Sequence, residues 1–65
     1  MEIELISTND LLKDKAESLT DIENCTIALA INVTTYSGGS VMERLEVNQG
    51  IVKKIDKELA RRQNV

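Results

Sequence analysis

An all-α helical hairpin, with two main helices joined by a short Gly-Gly-Ser turn and assembling into an oligomeric helix bundle, is the fold class this sequence predicts. Three observations carry that reading. Ser37-Gly38-Gly39-Ser40 runs directly into Val41-Met42-Glu43, so that Ser40-x-x-Glu43 forms a capping-box pattern behind a flexible turn. From Val41 to Leu59 an apolar or seam-compatible residue returns at alternating steps of four and three. In the first half Leu12, Leu19, Ile22, Leu29, Val33 and Tyr36 recur at helical spacing.

The first helix is expected over about residues 8–37. Ser7-x-x-Asp10 and Thr20-x-x-Glu23 both read as helix starts. On helical spacing Leu12, Leu19, Ile22, Leu29, Val33 and Tyr36 share one stripe, with Leu5 in phase before them, and this stripe is expected to pack on the second helix. Ile27 and Ile31 then face the other way and form a candidate second interface. The competing reading is a small α+β chain, β–α–β–α. From about 26 to 35 the chain alternates with period two and is rich in β-branched residues, and Glu2-Ile3-Glu4-Leu5 could pair with it.

The second helix is expected over about residues 40–63. Its seam is Val41, Leu45, Asn48, Val52, Ile55 and Leu59, and Arg61-Arg62 sits at the end where the helix dipole favours positive charge. Gly50 is a weak spot, since a glycine inside a helix costs on the order of 1 kcal/mol relative to alanine, but the seam runs through it unbroken. Asn48 either fixes register across an interface or caps a helix before Gly50.

A chain this short exposes too much surface to be held by one small core, so disulfides, a metal or self-association are the usual remedies. Cys25 stands alone and His is absent, which leaves no intrachain disulfide and no usual zinc ligand set. Self-association, at least to a dimer, is the remaining route. The residues assigned to it are Leu12, Leu19, Ile22, Leu29, Val33, Leu45, Asn48, Val52, Ile55 and Leu59, together with Ile27 and Ile31.

Eight Lys and Arg stand against eleven Asp and Glu, a net charge of −3, which argues against a nucleic-acid partner. The charge is also unevenly placed. Two lysines face seven acids in residues 1–35, a net −5, and six basic residues face four acids in residues 36–65, a net +2. Folded back antiparallel, the halves attract, with Glu2, Glu4 and Asp10 beside Lys57, Arg61 and Arg62. Met1–Ile6 has acids where a signal peptide has bases, and Cys25–Val33 is too short an apolar stretch to span a membrane. A cytoplasmic protein is expected.

Catalysis is not expected, because acid–base work usually leans on His and a nucleophilic Cys25 would lack a base; Cys25 reads as a buried structural thiol. Asp10, Asp14, Glu17 and Asp21 share one helix face but read as solvated, so neither a metal nor a cofactor is expected. The expected function is non-enzymatic: a small oligomeric regulator or inhibitor, in the format of small phage and bacterial proteins, that binds a protein partner. The second expectation is a sponge for a nucleotide or other phosphate-containing small molecule. It would bind at Tyr36, Ser37, Gly38, Gly39 and Ser40, with Arg44 one turn inside the helix, because the N–H groups opening a helix attract anions.

Overall fold

The computed structural model describes residues 2–63. Ile3–Leu5 forms one 3₁₀ turn, followed by helix α1 over Thr8–Ala30, strand β1 at Thr35–Tyr36, strand β2 at Gly39–Ser40 and helix α2 over Val41–Gln63. The two helices pair antiparallel in a rod of 44 × 20 × 15 Å. The helical hairpin expected from the sequence is therefore the fold.

Each helix starts where its cap is written. The Ser7 side chain accepts from the Asp10 N–H at 3.1 Å, and the Ser40 hydroxyl accepts from the Glu43 N–H at 3.4 Å. These bonds satisfy donors that a helix N-terminus otherwise leaves without partners. Thr20 is not a cap. Its hydroxyl donates to the Ala16 carbonyl at 3.1 Å in the middle of α1, which runs through it without a break. Gly50 likewise lies inside an unbroken α2.

The end of α1 corrects the expectation of a helix to residue 37. The helix stops at Ala30 because Asn32 takes a left-handed conformation, φ 64°. The Val33 N–H then donates to the Ala28 carbonyl at 2.8 Å and the Asn32 N–H to the Leu29 carbonyl at 3.1 Å, the paired bonds of a Schellman end. Asparagine does here what glycine more often does. The strand alternative is corrected as well. Residues 26–30 are helical, Ile3–Leu5 is a 3₁₀ turn, and the β-structure is two antiparallel two-residue strands, with Thr35 opposite Ser40 and Tyr36 opposite Gly39. Gly39 has φ 138°, which side-chain-bearing residues rarely adopt, and a Cβ at Gly38 would lie 2.5 Å from Tyr36 Cε2.

The core is a ladder of seven-residue steps. Leu11, Ser18 and Cys25 are buried on α1, and Val41, Asn48 and Ile55 are buried on α2. Cys25 and Val41 line one cleft together, as Leu11 and Ile55 line another. Equal steps from both ends place Ser18 and Asn48 in the layer between. The α2 seam is thus as expected, with Leu45, Val52 and Leu59 half-buried between the fully buried positions. The α1 stripe is out of phase by one residue. Leu12 is 49% and Leu19 46% exposed while their neighbours Leu11 and Ser18 are covered, so neither leucine packs into the hairpin's own core. Val33 and Tyr36 lie beyond the helix and are exposed. Ile22 and Leu29 keep the expected side and are half-buried.

Candidate functional site

A helix surface position moves by about 100° per residue, so the hairpin has two distinct long sides. Three residues after each buried position come Asp14, Asp21 and Ala28 on α1 and Arg44, Ile51 and Glu58 on α2. In an antiparallel pair these meet on one side, which carries the Arg44–Asp21 contact and the two clefts lined by core residues, while the Lys15–Asp56 ion pair crosses the other. Arg44 binds Asp21 across the helices at 3.3 Å, and its guanidinium lies over the Tyr36 ring, 5.1 Å from the centroid. The Asp21 hydrogen bond and then its charge raise the Arg44 pKa above its usual value. These groups line a cleft of about 260 Å³ with Asn24, Cys25, Ala28, Val33 and Val41.

Of the residues expected to bind a ligand, Tyr36 and Arg44 meet at this cleft. Ser37 and Gly38 form the turn, Gly39 opens β2, and none of the three lines the cleft. The Ser40 hydroxyl is occupied by the Glu43 N–H, so the start of α2 is capped by its own chain. Asn24, which sequence reading passed over, is the polar group added to the cleft wall.

The open end of the hairpin holds the strongest electrostatic cluster. Glu58 is buried, and its carboxylate accepts from Arg61 at 2.8 and 2.6 Å and from Arg62 at 2.7 Å. Hydrogen bonds from Arg61 and then Arg62 hold the Glu58 pKa down at about 2. Arg62 also donates to the carbonyls of Ile3, Glu4 and Ile6 and to the Thr8 hydroxyl, at 3.3, 3.5, 2.7 and 2.9 Å. The expected attraction between Arg62 and the N-terminal segment is therefore realised through backbone oxygens. A second cross-helix ion pair, Lys15 with Asp56, runs against the overall polarity, with the base on α1.

Asn48 does not cap a helix end, since α2 runs on through it. Buried in the seam, its amide donates to the Arg44 carbonyl of its own helix at 2.9 Å. Cys25 is a buried free thiol. Among the described residues no three acidic, Cys or His side chains converge as a metal site would need, and Asp21 of the acidic row is taken by Arg44. No helix among the described residues is long and apolar enough to cross a membrane.

The loop end carries the site that contacts could use. Ile27 is 54% and Ile31 67% exposed, and Val33 and Tyr36 are exposed beyond them. These are four large apolar or aromatic side chains within ten residues, at one end of the rod. The chain matches no protein-family model, no curated protein and no solved structure.

Proposed function

We propose that this chain is a small non-enzymatic binding protein, working as an oligomer, that regulates or inhibits a protein partner. The observation that carries the reading is the run of exposed large side chains at the loop end, Ile27, Ile31, Val33 and Tyr36. Where such side chains join into a contiguous apolar patch, they mark a contact site. The groups that could do chemistry engage one another instead: Arg44 with Asp21 and Tyr36, and Glu58 with Arg61 and Arg62. The reading places the protein inside the cell.

The cleft beside Arg44 favours one other reading, a sponge for a nucleotide or another phosphate-containing small molecule. An anion there would have to draw Arg44 away from Asp21. One experiment separates the two. The tagged chain and its Ile31→Asp variant are used as bait in lysate of the source cell, and a thermal-shift series with nucleotides is run on the same preparations. A partner captured by the parent chain and lost with Ile31→Asp, with no nucleotide shift, supports the regulator. A nucleotide shift abolished by Arg44→Ala supports the sponge, and capture indifferent to Ile31 refutes the loop-end site.

A further inference from the structure

We propose that a second copy of this chain covers the other long side of the hairpin, giving a four-helix bundle in which α1 of each copy lies against α2 of its partner. This gives the oligomer of the preceding reading its geometry and rests on that part of it alone.

One residue after the buried positions come Leu12, Leu19 and Thr26 on α1 and Met42, Gln49 and Asp56 on α2; Leu12, Leu19 and Met42 are about half exposed. Beside them lie the half-buried Ile22, Leu45 and Val52. In an antiparallel pair, positions one residue past the core on both helices fall on the same side, opposite the clefts. Two helices that pack only on each other need two apolar positions in seven, whereas helices of a larger bundle need about three. The third position is apolar and bare at Leu12, Leu19 and Met42, while Asp56, toward the open end of the same row, pairs with Lys15.

The surface area agrees. A compact monomer of 7.2 kDa exposes about 4,100 Å², whereas this chain exposes 4982 Å². The excess, about 900 Å², is close to the ~800 Å² that each partner contributes to a stable interface. Only Leu11, Cys25, Val41 and Ile55 form the buried apolar core among the described residues, so the bare side is needed for folding itself. An occupant required for folding must be present whenever the chain is made, and the chain's own copy meets that condition.

Charge selects the arrangement. Over Thr8–Ala30 five acids outnumber two lysines, and over Val41–Gln63 six bases outnumber four acids. Placing α1 against the partner's α2 makes every neighbouring pair of helices unlike in net charge, whereas α1 on α1 sets two acidic helices side by side.

The test is sedimentation equilibrium with circular dichroism on the full chain, alongside Leu19→Asp and Ile27→Asp. The expected result is a parent species of twice the chain mass that loses helicity on dilution. Leu19→Asp should be monomeric and weakly helical, regaining helix only at far higher concentration, and Ile27→Asp should behave as the parent does. A helical parent monomer at micromolar concentration overturns the proposal. So does a Leu19→Asp chain that stays dimeric, or one that is monomeric and fully helical. None of these results touches partner capture through Ile31.

Discussion

Glu58 is the residue whose protonation the fold opposes most. Its carboxylate is buried under two guanidinium groups and its pKa is lowered to about 2, against about 4.3 in an unfolded chain. A lowered carboxylate pKa adds stability that is fully present above the unfolded value and is lost as pH falls through the folded one. Thermal midpoints should therefore drop between about pH 4.3 and pH 2 in the parent chain, and Glu58→Gln should flatten that part of the profile while lowering the neutral-pH midpoint. An unchanged acid limb in the variant would remove Glu58 from this role. At the same scale lies what sequence reading missed. Hydrophobicity alone selects Leu12 and Leu19 for the seam, yet Leu11, Ser18 and Cys25 hold it. Ser18 and Cys25 are small, and small side chains let two helices approach while larger leucines flank the contact. That choice depends on the facing helix, which a single stripe cannot reveal. Asn48 was placed correctly in the seam, but its bond to the Arg44 carbonyl depends on a rotamer that spacing does not fix.

Among the elements, α2 was the more legible. Its strict alternation of four and three admits one phase, and each seam position from Val41 to Leu59 is buried or half-buried. Helix α1 offered two adjacent stripes, and its end was hidden because Gly38 and Gly39 drew the boundary toward themselves while Asn32 made the turn. The candidate ligand loop was read from the same glycines, and the strand pairing that closes it leaves only Tyr36 at the cleft. Gly50 offers a test of α2 as a continuous element. A Cβ there meets nothing within 4 Å, so Gly50→Ala should raise stability by about 0.5–1 kcal/mol, read as a higher urea midpoint with an unchanged slope. A fall in the midpoint would mean that the helix is not regular at this position or that another surface packs there.

For the molecule as a whole, the two ends of the rod are held by different means. The loop end is closed by covalent connection, by the Schellman bonds and by the Val41 N–H donating to the Thr34 carbonyl at 3.0 Å. The open end depends on Arg62, which joins α2 to residues 3–8. Arg62→Ala should speed amide exchange at Leu5, Ile6 and Leu11, whose N–H groups donate to Glu2, Ile3 and Ser7 carbonyls, while leaving amides near Val33 and Val41 at the parent rate. Equal acceleration at both ends would show that the hairpin opens as one unit and that Arg62 is no local fastening.

Because the short turn at Ser37-Gly38 sits near the middle of the chain, each rung of the core encloses the one before it. Closing a larger loop costs only slightly more entropy once the smaller one is closed, so Cys25 with Val41 is the cheapest rung to form and Leu11 with Ile55 follows. Assembly in this order resembles a zip drawn from the turn outward, and the guanidinium of Arg62, bonding to a hydroxyl 54 residues away in sequence, is its final clasp.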